Sequence, residues 1–157
     1  MKLIVRFIKP LFFALLLIAA NASHSNAQSA TQTYAAKYKT MALQLAQEFG
    51  IPAPVILAVA IIESSSGQGR NCHDLNNHFG IVGRNNVARK TRYKQYTSVE
   101  ASFRDFCGLM TRKAFYARLK GNMNVVEWAK AISKAGYSEQ PSVWQARVVG
   151  VIQNNKL

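Results

Sequence analysis

The stretch PVILAVAIIESSSGQG, residues 54–69, is apolar at nearly every position up to Ile62, then turns in one step to a carboxylate, Glu63, followed by serines and glycines. A helix that is apolar all round belongs in an interior. Residues 54–64 are therefore expected to form a buried central helix. Pro54 suits its first turn, where a missing N–H costs nothing. The serines and glycines after Glu63 end the apolar period and leave room for a polymer chain to approach. A carboxylate at the end of such a helix loses solvation, and desolvation raises its pKa. A raised pKa keeps a proton available near neutral pH, as a general acid requires. The position alone fits equally well a helix-terminal Glu that points into water or pairs with Lys or Arg.

On the N-terminal side, Met41, Leu43, Leu45, Ala46 and Phe49 recur at helical spacing, and Gly50 stops a helix expected over residues 34–49. Residues 28–33 read as a frayed start, and residues 65–78 as loop. HFGIVG (78–83) and RYKQY (92–96) read as short extended segments around RNNVARKT, a small β-hairpin with a polar tip at Asn85–Asn86. Arg84, Arg89, Lys90, Arg92 and Lys94 crowd there. Thr97 and Glu100 have capping-box spacing ahead of a helix reaching about Met110, with Val99, Phe103, Phe106 and Leu109 or Met110 on one face. A short helix near 113–119 follows, then amphipathic NVVEWAKAISKAG ending on Gly136, then a last helix opened by Pro141. The fold class is mainly α with one small, basic β-element.

The chain has 157 residues, one domain by size. Lys2, Arg6 and Lys9, the apolar block LFFALLLIAA (11–20) and SNA (25–27) read together as a secretory signal peptide cut near Ala27, with the catalytic domain over 28–157. The expected location is the periplasm or cell surface. Lys and Arg number 20 against 7 Asp and Glu, a formal net charge of +13, and loss of the leader's three basic residues leaves +10 (13 − 3). Such a surface favours a polyanionic partner. Export argues against nucleic acid and for wall polymers. Cys72 and Cys107, an even count in an exported chain, are disulfide candidates. Closing that loop would stabilise the fold by roughly 4 kcal/mol in the chain-entropy account. Cys72, His73, Asp74 and His78 lie within seven residues, but their spacing is irregular and Cys72 has a rival use, so no metal site is expected.

Four blocks stand in a telling order: ILAVAIIESSSGQG, NNHFGI, YKQYTSVEASFRDF and KAGYSEQP. In that order they resemble the glucosaminidase family of bacterial cell-wall hydrolases, glycoside hydrolase family 73, with flagellar and autolysin-type members, over about Tyr38 to Ile152. The resemblance implies a lysozyme-like helical domain with a small β-lobe. It implies peptidoglycan glycan strands as substrate, no cofactor, and wall remodelling, such as making room for an envelope-spanning assembly. It places Glu63 on the family's catalytic glutamate and Tyr137, in the AGY block, beside the catalytic centre. Asn77, Phe79 and Gly80 fall on the segment bordering the sugar groove, and Tyr96 with Ser98 on the Y-x-S that closes the lobe. Without the family, Phe79 reads as readily as a core aromatic.

One departure bears on mechanism. Many members carry a second acid in the lobe, and glycoside hydrolysis ordinarily uses two carboxylates flanking the bond. Between Phe79 and Val99 there is no Asp or Glu. Asp74 is the candidate second acid, and Glu100 reads as a helix cap. Two single-glutamate routes follow: attack by the substrate's own 2-acetamido oxygen after protonation by Glu63, with Tyr137 assisting, or a lytic transglycosylase or muramidase reaction. A catalytically silent wall-binding module is the third reading.

Overall fold

The computed structural model describes residues 28–157, so the expected leader lies outside the described residues. Residues 28–49 are helical (α1), followed by α2 (Ala53–Ser64), α3 (Arg70–Leu75), α4 (Val99–Thr111), α5 (Tyr116–Leu119), α6 (Val125–Ile132), a π-type turn over Ser133–Tyr137, and α7 (Pro141–Asn155). The central helix is as its sequence demands. Val55, Ile56, Ala58, Val59 and Ala60 of α2 are completely buried, and α2 packs against α4, α6 and α7. Each fully buried Val or Ile contributes roughly 1.5–3 kcal/mol of transfer free energy, so α2 is the post around which the other helices assemble.

What ends α2 also aims Glu63. Ser65, Ser66 and Gly67 have φ of 51°, 55° and 80°, three left-handed residues in a row. The Ser66 N–H returns to the Ile61 carbonyl at 2.8 Å, Gly67 N–H to Ser64 Oγ at 2.8 Å, and Gly69 N–H to the Ser64 carbonyl at 2.9 Å. Left-handed geometry at a non-glycine residue is costly and persists only where surroundings over-determine it. Here it stops the helix one residue after the carboxylate.

Several expectations need correction. Residues 28–33 are helical rather than frayed. Gln28 Nε2 donates to the Asn154 carbonyl (3.1 Å) and to Asn155 Oδ1 (3.0 Å), and Thr31 Oγ1 shares a hydrogen bond with Ser66 Oγ (3.0 Å). Leu43 is 48% exposed, because the buried stripe of α1 runs through Tyr34, Ala35, Ala42 and Leu45. The supposed loop 65–78 contains α3, which closes on Asn76 at φ 51°. The cap of α4 is Ser98, whose Oγ accepts from Ala101 N–H at 3.1 Å, not Thr97, and Glu100 pairs with Arg104 instead.

The expected β-hairpin is reduced to one antiparallel bridge, Val82 with Tyr93; no strand forms among the described residues. The two arms do approach, with Gly83 N–H on the Arg92 carbonyl, Lys94 N–H on Ile81 and Gln95 N–H on Arg84, at 2.8–2.9 Å. Side-chain amides, however, take acceptors that a longer ladder would use. Asn85 Nδ2 donates to the Thr91 and Tyr93 carbonyls, and Asn77 Nδ2 to those of Ile81 and Lys94. Asn85, expected at the polar tip, is thus turned back across the lobe.

The expected disulfide is also absent. Cys72 and Cys107 are separate, buried thiols. Cys72 Sγ points at the Asn77 carbonyl (3.6 Å), while Cys107 lies on the core face of α4.

Aromatic rings run unbroken from α1 into the core. His78, 3% exposed, shares a 2.6 Å hydrogen bond with the Tyr34 hydroxyl and lies against Tyr38 and Phe103. Phe103 meets Phe79 edge-on, Phe79 stacks on Phe106 at 4.3 Å, and Phe106 meets Tyr137, which meets Trp144. Burial pushes the His78 pKa down to about 4, with the charges of Lys37 and His73 adding to it. An unfolded histidine titrates near its ordinary value, so between pH of about 6.5 and 4 the unfolded chain binds the extra proton. Stability present at neutral pH is therefore lost as pH falls through that window, by up to about 3 kcal/mol. Urea midpoints measured from neutral to acid pH should show this fall, and His78→Gln should flatten it.

Candidate active site

The Glu63 side chain is exposed at the end of α2 and reaches toward the Gly80 backbone of the basic lobe. Its Oε1 accepts a hydrogen bond from Trp144 Nε1 of α7 at 2.9 Å. A Cβ built on Gly80 would lie 3.9 Å from Glu63 Oε2 and 3.9 Å from Tyr93 Cε1. The second carboxyl oxygen thus faces a bare stretch of backbone and an aromatic edge. Gly80 has φ +64°, a left-handed turn that favours glycine. Although one side of Glu63 is open, enclosure of the carboxyl dominates and raises its pKa, outweighing the Trp144 N–H and the positive charge of Arg147, which both favour the ionised form.

Tyr137 is brought here by Gly136 (φ +82°), which breaks the π-type turn after α6. Its hydroxyl donates to the Phe79 carbonyl at 3.0 Å, and its ring lies between Phe106 and Trp144. Burial and the nearby Glu63 charge push the phenol pKa well above its ordinary value, so it stays a donor. That donor is committed to the backbone next to Gly80. Tyr137 fixes the wall opposite Glu63 and has only its oxygen lone pairs left to offer.

The remaining expected groove residues are placed under the cleft rather than in it. Asn77, 2% exposed, receives the Phe79 and Ile81 N–H groups on Oδ1 and donates to the Ile81 and Lys94 carbonyls. All of its amide capacity goes into shaping the 77–81 turn. Phe79, 2% exposed, is a core ring whose carbonyl alone reaches the site. Tyr96, 7% exposed, donates to Asp105 Oδ2 at 2.8 Å beside Lys94 Nζ at 2.6 Å, pinning the lobe to α4. Asp74 accepts from Arg70 and Arg89, each at 3.2 Å, and Arg89 also reaches Asn71. It ties the lobe to α3 through Arg89, and its hydrogen bonds go to Arg70 and Arg89 rather than to Glu63, Gly80 or Tyr137.

Three residues at the site were not singled out from the sequence: Trp144, Arg147 and Tyr93. Trp144 and Arg147 are three apart on α7 and so share a face, a spacing that identifies neighbours but not what they look onto. On the lobe Arg84, Lys90 and Arg92 are in no ion pair among the described residues, unlike Arg89 and Lys94. The lobe therefore carries uncompensated positive charge.

Comparison with known proteins bears on the fold and the family. The family model described as glucosaminidase, mannosyl-glycoprotein endo-β-N-acetylglucosaminidase, matches residues 39–157. Peptidoglycan hydrolase FlgJ of Escherichia coli O157:H7 is 26% identical over 148 residues, covering 80% of this chain and 47% of FlgJ. The chain thus spans about half the length of the curated relatives it matches. The crystal structure of a peptidoglycan hydrolase from Sphingomonas sp. A1 is similar with a TM-score of 0.65 at 25% identity, over 80% of this chain and 89% of that one. The catalytic domain of the autolysin Auto from Listeria monocytogenes gives 0.67 at 16% identity, over 81% and 85%, a likeness of fold alone. The family match runs through both the end of α2 that carries Glu63 and the face of α7 that carries Trp144, and the chain belongs to the glucosaminidase family, family 73 of the glycoside hydrolases.

Proposed function

We propose that the protein is exported and hydrolyses the glycan strand of peptidoglycan at the β-1,4 bond after N-acetylglucosamine, with Glu63 as the general acid. One observation carries the reading: a carboxyl of raised pKa at the end of a buried helix, held by Trp144 and set beside the side-chain-free Gly80 backbone of the lobe. The named relatives from Escherichia coli and Sphingomonas are peptidoglycan hydrolases, which supports the same polymer here.

In the proposed reaction Glu63 gives its proton to the bridging oxygen as the C1–O bond breaks. The lobe from Gly80 to Ser98 contains no carboxylate to activate water. The 2-acetamido oxygen of the N-acetylglucosamine that owns C1 attacks that carbon instead as the muramic O4 leaves, and forms a cyclic oxazolinium. Water then opens that ring, losing its proton to the Glu63 carboxylate, which restores the acid. Tyr137 is a positioning residue that holds the Phe79–Gly80 backbone at the sugar's edge. The unpaired basic side chains of the lobe attract the carboxylates of the peptide stems.

The same lack of a second acid favours one other reading, a single-glutamate reaction on the muramic-acid side of the strand. Digestion of purified sacculi, with product termini identified by mass spectrometry, decides between the two. Reducing N-acetylglucosamine ends are expected; reducing or anhydro-muramic ends would replace the proposed linkage with the other.

Trp144→Phe should separate the acid's two supports. The indole N–H favours the ionised carboxyl, so its loss raises the Glu63 pKa and moves the alkaline limb of the pH–rate profile upward. The maximal rate should fall about tenfold, because the carboxyl is no longer held in line. An unmoved alkaline limb would mean that the hydrogen bond does not reach the reacting proton.

A further inference from the structure

Most aromatic side chains around the site are committed to the interior or to a hydrogen bond. Phe79 and Phe106 are buried core rings. Trp144 is buried and gives its N–H to Glu63, and Tyr96 is buried and donates to Asp105. Tyr137 donates to the Phe79 carbonyl and has its ring between Phe106 and Trp144. Tyr93 is different. Its ring is half-buried, its hydroxyl makes no hydrogen bond among the described residues, and that oxygen is not sealed from solvent.

Its place is beside the acid. A Cβ at Gly80 would be at van der Waals distance, 3.9 Å, from both Tyr93 Cε1 and Glu63 Oε2, so phenol and carboxyl flank the same bare backbone. The ring is also held in position. Tyr93 is the bridge partner of Val82, its carbonyl accepts from Asn85 Nδ2 at 2.9 Å, and the Arg92 guanidinium lies over the ring at 5.7 Å. Residues directly opposite in an antiparallel pair project to the same face. Val82 is 59% exposed, so the ring belongs to the solvent-facing side of the lobe. A flat apolar ring with a polar tip, fixed next to an acid, matches one face of a β-linked hexosamine. The equatorial substituents of such a sugar leave its axial C–H groups clustered on the two faces, which pack on aromatic rings while the hydroxyls and amide seek polar tips. We infer that Tyr93 is a substrate-binding residue, the platform on which the sugar next to the scissile bond packs its C–H face, with the phenol hydroxyl bonding one of that sugar's substituents. This rests on the glycan-strand reading of the site, not on which of the two linkages is cut.

The test measures kcat and KM on soluble, uncrosslinked glycan strands for the wild type, Tyr93→Phe and Tyr93→Leu. Leucine keeps apolar bulk for the lobe but loses the flat face, and should raise KM about tenfold with kcat within about twofold of the wild type. Phenylalanine keeps the face and loses only the hydroxyl, and should raise KM about two- to threefold. The gap between the two variants should persist at about 0.5 M salt, where any contact made through the charge of neighbouring Arg92 is screened. Equal KM values for the two variants would mean that the flat face does not hold the sugar, and would overturn the inference alone. So would a loss confined to kcat, or a gap that salt abolishes. A wild-type protein that neither binds nor cuts the strands would overturn the glycan reading and the inference with it.

Discussion

Glu63→Gln is expected to lower the release of reducing ends from sacculi about a thousandfold, the usual contribution of a positioned general acid. The substitution is nearly isosteric. The amide oxygen still accepts the Trp144 N–H, so the cleft keeps its shape and only the proton is lost. The same change should leave the fold as stable or more stable at neutral pH. Burial raises the Glu63 pKa, so its protonated form is the better tolerated one in the folded protein. That stabilisation is fully present below the unfolded pKa and is lost as pH rises through the folded value. A neutral amide escapes the loss. The paired outcome, activity down with the melting temperature level or up, is what a site strained for chemistry produces. Retained digestion with a lowered melting temperature would make Glu63 a structural anion and remove the acid from the mechanism.

Asn77→Ala is expected to be the most damaging single change to the lobe. Three backbone groups lose their partner at once, the Phe79 and Ile81 N–H groups and the Lys94 carbonyl, while the Ile81 carbonyl keeps only the Lys94 N–H. Some would find water after local opening, so the loss should be about 2–4 kcal/mol rather than the sum of three buried vacancies. That corresponds to a fall in melting temperature of about 10 °C. Activity should fall with it, since the 77–81 turn carries the Gly80 backbone that faces Glu63. Asn77→Asp keeps both acceptor contacts but sets a carboxylate against two carbonyl oxygens, and should fare no better. Thermal melts followed by circular dichroism would read both variants. A melting temperature near that of the wild type would show that the two arms hold each other without the amide.

The helical body was legible because its signals are local and redundant. Continuous apolar residues over 55–62 leave α2 no solvent face, Gly136 and Pro141 punctuate the chain before α7, and a carboxylate in that setting declares itself. The lobe was misread for a physical reason. Alternating residues and asparagines look alike whether a ladder or side-chain amides satisfy the backbone, and here Asn77 and Asn85 take bonds a hairpin would have used. The order of blocks pointed to Glu63, Gly80 and Tyr137, and the geometry brings these three around one cleft. Asn77, Phe79 and Tyr96 came with them because they shape that cleft from beneath. Trp144 and Arg147 were not visible, since nothing within α7 tells which helix its face will meet. Cys72 and Cys107 looked like a pair by count alone, and count carries no distance.

Those two thiols have a consequence for how the molecule matures. Each is sealed in the interior, and burial pushes that of Cys107 up to about 12, so little thiolate exists to meet an oxidant. The chain reaches its final form without waiting for a sulfur–sulfur link to be made or corrected. Reductant in the buffer should leave it indifferent, and its manufacture places no demand on oxidising catalysts, whichever compartment it is made or stored in.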